Sequence, residues 1–232
     1  MTRSRLDSAT WPELDADTSA GPAVLVVPLG ATEQHGPHLP LGTDTAIAVA
    51  LAETAADLPW VRVAPPLAYG SSGEHQAFAG TLSIGAAATE LVLVELGRSA
   101  TETFAAVLFL SAHGGNAAPL AAAVARLRDE GRDVRAWAPR FGGDLHAGRT
   151  ETSLMLALAP GSVRAGRDPG NRAALPDLID DLRVGGVRPL APNGVLGDPT
   201  DASKEEGGEL FASAADDLRA RMESWWGPGA AG

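Results

Sequence analysis

The sequence predicts a single α/β domain of three layers, in which helices cover both faces of a mostly parallel central sheet. Apolar, β-rich runs alternate with Ala-rich segments of helical spacing, and parallel strands require such crossover connections. The chain of 232 residues, 45% hydrophobic and 20% charged, also matches a compact domain in size and composition. We expect the domain to span residues 21–226, between a flexible N-terminal segment at 1–20 and a flexible tail at 227–232.

The predicted elements follow one another in β-α order. Four apolar runs, each followed by a Gly- or Pro-rich loop, are predicted strands: residues 23–29, 60–64, 106–110 and 134–138. Helical patterns occupy residues 45–58, 87–104, 119–130, 154–159 and 204–226. The stretch 161–199 is rich in loop residues, and its pattern assigns no element.

Composition excludes several classes of function. The chain has no cysteine, so any metal must use N and O ligands. Its only lysine, Lys204, follows no glycine-rich loop, which argues against a nucleotide-binding P-loop. The net charge of −11 opposes binding to a phosphate backbone, so we expect no nucleic-acid partner. No apolar run is long enough to cross a bilayer, and we expect a cytoplasmic protein without membrane association.

The loops that follow the predicted strands contain every histidine of the chain: His35, His38, His75, His113 and His146. In an open α/β sheet the carboxyl ends of the strands form the crevice in which ligands bind. We therefore expect these side chains to converge, although they are far apart in sequence.

The loop after the first strand carries donors of the kind that metals prefer. Residues two apart in an extended stretch face the same way, so Glu33 and His35 can face one ion. Asp44, at the start of the next helix, can bridge two ions. The alternative for Asp44 is a helix cap, although the adjacent Glu-x-His pattern favours the metal. His38 belongs to the same loop and is a candidate for contact with substrate or with the ligands.

Two further loops add donors. His113 precedes two glycines, which permit close approach of a ligand, and Asn116 after them either supports the site or caps a helix. In the loop after the fourth strand, Asp144 and His146 precede Glu151, which either binds metal or interacts with the dipole of the helix that begins there. These loops extend the candidate site beyond the first segment.

A glycine-rich loop after the second strand contributes Glu74 and His75, which either contact substrate and order the ligands or belong to a polar surface turn. The candidate metal ligands number five: Glu33, His35, Asp44, His113 and Glu151. Five donors are enough for two divalent ions that share one carboxylate, and Zn²⁺, Mn²⁺, Fe²⁺ and Co²⁺ all suit this set.

The donor set predicts hydrolysis of an amide bond. Two ions would lower the pKa of a water and polarise a carbonyl, while a nearby group protonates the leaving nitrogen. His146 is not needed as a ligand and is our candidate acid/base. Glu151 counts both as a ligand and as a catalytic residue.

Four ordered motifs resemble the creatininase family: GATEQHGPHLPLGTD, GEHQAFAGT, HGGN and HAGRTETSLMLAL. The resemblance implies a creatininase-like fold, metal binding by Glu33, His35, Asp44 as the bridge and His113, and a catalytic His146. The creatinine-hydrolysing members carry a glutamate where this chain has Gly115, so we assign Glu151 to the second ion. The tryptophans that close over creatinine in those members have no counterpart here, which argues against creatinine as substrate.

Finer motifs, YGSSGEHQ, FAGTLSIG and NGVLGDPTDAS, resemble the branch of the family that acts in the mycofactocin system. This resemblance implies a modified precursor peptide as substrate, from which the enzyme releases the C-terminal Val-Tyr-derived dipeptide during biosynthesis of a redox cofactor. It also implies a homo-oligomer, since hexamers are common in the family.

Two alternatives remain open. One is a creatininase-like hydrolase of a small cyclic or formyl amide, which needs a closed, aromatic pocket rather than an open groove. Four aromatic residues near the predicted loops, Trp60, Tyr69, Phe78 and Phe141, are few enough to favour the groove. The other alternative is a non-catalytic metal-binding scaffold, although structural metal sites are usually saturated by protein ligands.

Overall fold

The structure, a computed structural model, describes residues 5–227 and is built on a four-stranded sheet. Its strands are β1 (Val24–Leu29), β2 (Val61–Val63), β3 (Ala106–Ser111) and β4 (Val134–Trp137), in the order β2-β1-β3-β4. Every neighbouring pair is parallel. The predicted parallel sheet is confirmed.

Eight α-helices connect and cover these strands in the described part of the chain. They are α1 (Trp11–Ala20), α2 (Thr43–Ala55), α3 (Gly85–Ala100), α4 (Ala117–Asp129), α5 (Arg149–Leu158), α6 (Leu175–Gly185), α7 (Val187–Leu190) and α8 (Lys204–Trp226). Short 3-10 turns occupy Leu6–Ser8, Gly73–His75, Gly114–Asn116 and Pro160–Ser162. None of the described helices combines the length and the apolar character needed to span a membrane.

The alternation of side chains along β1 produces the three layers. Val24 and Val26 pack in one apolar cluster with α2, α5 and α8, whereas Leu25 and Val27 pack in another with α3 and α4. All six residues of β1 are buried, as expected for a strand covered on both faces. The three-layer α/β/α class is confirmed.

The parallel arrangement determines where a site can form. All four strands end at the same edge of the sheet, and the loops that leave this edge lead into α2, α3, α4 and α5. Ligand sites of open α/β sheets lie in the crevice at this edge. Each loop singled out in the sequence leaves from it.

Two regions differ from the prediction. Half of the segment 1–20, expected to be flexible, forms α1, which begins with a capping box between Thr10 and Glu13. Arg62 of β2 holds this helix through an ion pair with Asp17 at 2.6 Å. Within 161–199, where the pattern assigned no element, α6 and α7 pack around a small apolar cluster of their own.

At the C-terminus, the predicted end of the last helix can be compared with the structure, but most of the predicted tail cannot. Helix α8 ends at Trp226 as predicted, and Gly227 follows it as the capping residue. The remainder of the predicted tail, 228–232, lies outside the described residues.

Candidate metal centre

Seven titratable side chains from four loops converge at the carboxyl edge of the sheet: Glu33, His35, Asp44, His75, His113, His146 and Glu151. Six of them are buried, and Glu151 is partly exposed. Arginine and lysine are absent from this cluster within the described residues. Carboxylates in a buried position therefore face imidazoles instead of fixed cations.

Asp44 lies at the centre of the cluster. Its Oδ1 is 3.3 Å from His35 Nε2 and its Oδ2 is 3.3 Å from His113 Nδ1. Helix α2 begins one residue earlier, at Thr43, and Asp44 makes no capping hydrogen bond, because Gly42 is the N-cap. The helix-cap alternative for Asp44 is wrong.

Glu33 faces three histidines. Its Oε2 is 3.3 Å from His113 Nε2, and its Oε1 is 3.4 Å from His75 Nε2 and 3.7 Å from His146 Nδ1. Neither carboxylate oxygen has a partner in hydrogen-bonding geometry, and Asp44 Oδ2 shares this condition. Buried polar atoms are nearly always satisfied, so three such oxygens in one cluster fit a cation that they would bind.

Three sets of donors are close enough to hold an ion, with all ligand atoms of a set within 4.8 Å of one another. They are Glu33 with Asp44 and His113, His35 with Asp44 and Glu151, and Glu33 with His35 and His146. The first two sets share Asp44 and use the five ligands that the sequence predicted. The third set contains His146, which the sequence analysis did not count as a ligand.

Burial and mutual charge determine the protonation of the central groups. Burial raises the pKa of Glu33 to about 8, and the neighbouring Asp44 carboxylate adds to this effect. Burial also acts on Asp44, but the charges of His35 and His113 hold its pKa below the ordinary value. Burial opposes the charged forms of His35 and His113, yet interaction with Asp44 raises the pKa of each to about 10.

The pKa values of His75 and His146 are lowered instead of raised. Burial, assisted by the charges of His35 and His113, lowers the pKa of His75 to about 3. Burial and the same His35 charge lower the pKa of His146 well below its ordinary value. The ring of His146 lies between the rings of His35 and His75, with centroids 4.3 Å from each. His146 is therefore a neutral imidazole at the side of a charged cluster.

Glu151 joins the cluster from the first turn of α5. Its Oε2 accepts the Ala147 N–H at 2.6 Å and lies 3.9 Å from His35 Nε2. Burial raises the pKa of Glu151, against the effect of the His35 charge. Ala147, between His146 and this helix, has a φ of 52°, the only positive φ of a described residue other than glycine. Such a conformation is uncommon for a residue with a Cβ and is found most often at functional sites.

The other predicted residues surround the cluster in different ways. His38 is buried and its Nε2 lies 2.8 Å from Thr152 Oγ1, next to Glu151. Burial, assisted by the charge of Arg167, lowers the pKa of His38 to about 4. Asn116 accepts the Ser71 N–H at 3.0 Å and donates to Gly30 O at 3.0 Å, so its side chain connects the loops of the site. It occupies the N-cap position of α4, but its side chain makes no capping hydrogen bond.

Asp144 supports the backbone next to the cluster. Its carboxylate accepts backbone N–H groups of Arg149 and Asp198, and it thereby stabilises the start of α5. Among the described residues it belongs to none of the three donor sets, and its role toward substrate stays a prediction. Trp60 was also placed near the site loops, but it precedes β2 and therefore lies at the opposite edge of the sheet.

Neighbouring atoms leave no space for a side chain at Gly115. A Cβ at this position would collide with Ser71 O and His113 Nε2 and would lie 2.9 Å from Glu74 Oε1. The loop that carries Glu74 therefore occupies the space that a side chain at 115 would need. A ligand from position 115 is excluded in this conformation, which agrees with the assignment of Glu151 to the second donor set.

Sequence reasoning missed Gln34, which lies between two predicted ligands. It is 5% exposed, and its side-chain amide contacts His75, His146, Gly36 and Gly194. Ser72, fully buried beside His113, was missed as well. The signal for Gln34 was its position inside the Glu-x-His pattern, because alternation along an extended stretch directs it away from the side that Glu33 and His35 share.

The family model described as "Creatininase: Creatinine amidohydrolase" matches residues 7–222. The chain belongs to the creatininase family. It is 50% identical over 234 residues to the mycofactocin precursor peptide peptidase of Mycobacterium tuberculosis, with 95% of this chain and 91% of the relative covered. It is 30% identical to the creatinine amidohydrolase of Pseudomonas putida, with 85% and 88% covered.

A solved structure described as "Creatininase Mn" has the same fold as this member of the family. The TM-score is 0.81 at 25% sequence identity, and the match covers 97% of this chain and 99% of that chain. The predicted membership of the family is confirmed.

Proposed function

We propose that this chain is a metal-dependent peptidase that hydrolyses one amide bond of the modified mycofactocin precursor peptide. The product is the C-terminal Val-Tyr-derived dipeptide. The observation that carries the proposal is the 50% identity, along 95% of the chain, to a relative named for this activity. The buried cluster of carboxylates and histidines supports it with the groups that such a reaction needs.

The donor sets fit two divalent ions. Glu33, Asp44 and His113 would hold one ion, and His35, Asp44 and Glu151 the other, so that Asp44 bridges them. Bound ions supply a water of lowered pKa and polarise the scissile carbonyl. N and O donors suit zinc, iron and manganese alike.

His146 acts as the acid/base in this proposal. It is buried and neutral, and its Nδ1 faces the Glu33 carboxylate at 3.7 Å, on the side where the donors converge. From there it can take up a proton and deliver it to the leaving nitrogen of the substrate. Glu151, which accepts the Ala147 N–H, anchors the loop that carries His146.

We propose that substrate approaches the cluster past the glycine-rich loop with Glu74 and His75, because His75 Nε2 lies 3.4 Å from Glu33 Oε1. Half-buried Phe78 and exposed Tyr69 lie along this segment, and Arg188 of α7 stacks on the Phe78 ring at 4.9 Å. In this proposal, these groups would contact the peptide. We further propose that the enzyme is a cytoplasmic homo-oligomer, as the resemblance to hexameric family members implies.

Mass spectrometry of the metal-loaded protein tests the proposal. It is incubated with a precursor peptide that bears the modified C-terminus, beside a chelator-treated sample and a sample with creatinine. Metal-dependent release of the terminal dipeptide is the expected result. An intact peptide with hydrolysed creatinine, or with another small cyclic or formyl amide hydrolysed, would support the alternative within the family. Bound metal without hydrolysis of any of these substrates would support the scaffold.

A further inference from the structure

The side chain of Gln34 has an orientation that its backbone partners determine. Its Oε1 accepts the Gly36 N–H at 2.8 Å, and its Nε2 donates to Gly194 O at 3.0 Å. A backbone N–H can only donate and a backbone carbonyl can only accept. The two ends of the amide are therefore distinguishable, although oxygen and nitrogen would otherwise be interchangeable.

The same amide nitrogen faces two imidazoles. It lies 2.8 Å from His75 Nδ1 and 3.0 Å from His146 Nε2. An amide NH₂ has two hydrogens, and Gly194 O takes one of them. Only one hydrogen remains for the two rings.

His146 cannot accept that hydrogen. Its Nε2 is 2.8 Å from the backbone oxygen of Gln34, which is an acceptor only, so Nε2 must carry its own hydrogen and donate. The second amide hydrogen therefore goes to His75 Nδ1, which must be bare. In consequence the His75 hydrogen lies on Nε2, which faces Glu33 Oε1 at 3.4 Å.

We propose that Gln34 is a positioning residue that fixes His75 and His146 as Nε2–H tautomers. His75 then directs an N–H toward Glu33 Oε1, while His146 directs a bare Nδ1 toward the same oxygen, at 3.7 Å and outside hydrogen-bonding distance. One carboxylate oxygen thus faces one donor and one acceptor. The bare nitrogen is the state that an acid/base needs before it takes up a proton, and in this respect the inference rests on the proposed function.

The segment around Gly194 packs closely against the Gln34 side chain. Gly194 has a φ of +82°, and a Cβ there would collide with Gln34 Oε1. Val195 packs against Gly36 from the same segment. The segment between α7 and α8 therefore covers the Gln34 amide, and its Gly194 carbonyl accepts one of the amide hydrogens. The sequence pattern predicted no helix or strand in this segment.

Nitrogen NMR of the zinc-loaded protein tests the tautomers without substrate. Histidine ring nitrogens are labelled, and the resonances of His75 and His146 are assigned by their absence in single variants. We expect a protonated Nε2 and a bare Nδ1 in both rings of the parent. A protonated Nδ1 in either ring of the parent would overturn the proposal, whether or not any variant folds.

Variants then test whether Gln34 enforces this state. Gln34→Met keeps the volume but removes the donor and the acceptor, and Gln34→Glu keeps the acceptor for Gly36 while it removes the donor. For both we expect His75 to populate the other tautomer and kcat to fall about 10–100-fold, with KM and zinc content unchanged. Glu209→Met, at an exposed position of α8, is the control.

The outcomes separate this inference from the proposed function. Tautomers that are unchanged in both Gln34 variants would reduce its role to packing and overturn the proposal. If no peptide is cleaved but the tautomers change as expected, the proposed function fails and the positioning by Gln34 stands.

Discussion

Two sets of carboxylates in this molecule differ in how they are neutralised. On the surface, Glu130 binds Arg98 and Arg132, and the hydrogen bond from Arg98 lowers the pKa of Glu130 to about 2. At the carboxyl edge of the sheet, burial and the neighbouring Asp44 carboxylate raise the pKa of Glu33 to about 8, and the cationic groups that Glu33 faces are histidines, which only partly oppose this effect. Arginine side chains neutralise the surface carboxylate, whereas the buried carboxylate must be neutralised by protons or by a metal ion.

This difference indicates what each set contributes. An exposed ion pair has little effect on stability. A buried carboxylate with unsatisfied oxygens destabilises the fold, unless an ion binds there, and such features are retained at functional sites. The following changes should therefore have large effects in the buried cluster and small ones on the surface.

Removal of the shared carboxylate should have the largest effect. Asp44→Asn keeps the size of the side chain but weakens both donor sets, so we expect loss of bound metal and a fall of about 10³-fold or more in kcat. Elemental analysis and peptide hydrolysis measure these. Asp57→Asn, an exposed aspartate just beyond the other end of α2, is the control and should change neither. Full metal content in Asp44→Asn would contradict the bridging role.

Replacement of the neutral histidine separates acid/base chemistry from metal binding. For His146→Ala we expect a fall in kcat of about 10²–10⁴-fold, with metal content and melting temperature nearly unchanged. Kinetics, elemental analysis and thermal unfolding are measured on the same preparation. Loss of metal in this variant would make His146 a ligand, as its position in the third donor set allows.

The pH should change metal affinity in one direction. Without metal, His35 and His113, with pKa values of about 10, and Glu33, with a pKa of about 8, hold protons at pH 7. Metal ligands must lose these protons, so binding should release protons and weaken as the pH falls from 8 to 6. Calorimetric titration in two buffers of different ionisation enthalpy measures the release. Affinity that is independent of pH would contradict the raised pKa values.

The smallest effect is expected on the surface. Arg98→Ala removes the cation beside Glu130, and we expect unchanged metal content, unchanged kcat and only a small shift in melting temperature. High salt should weaken the parent pair and reduce even this shift. A loss of activity would show that the surface pair is coupled to the buried cluster.

The parts of the fold that sequence predicted are those with a strong local signal. The buried runs of β1 and β3 and the long pattern of α8 need no tertiary information, because hydrophobic periodicity alone specifies them. Helix α1 was missed because its described residues include no buried one, so it has no apolar face to detect. Helix α7 has only four residues, too few for a periodic signal, whereas α6 is clearly amphipathic and was missed despite its pattern.

The site was predictable where ligands cluster in sequence or follow a strand, as Glu33, Asp44 and His113 do. The contacts that hold these ligands in place could not be predicted from the sequence. The bond from Gln34 to Gly194 joins residues 160 positions apart, and the collision at Gly115 depends on a loop that begins near Ser71. Such contacts exist only after the sheet has brought the loops together, and no local pattern encodes them.

The packing of α5 against α8 has a consequence for biosynthesis. Gly207 of α8 lies so close to Ser153 O that no Cβ fits between them, and Glu206 binds Ser153 and Arg149 from the same helix. Helix α5 carries Glu151, yet α8 is synthesised only after it. During translation the strands and four of the five donors can therefore form before the fifth is held in place. The donor set that contains Glu151 is then completed late in the maturation of the protein, after α8 has left the ribosome and docked.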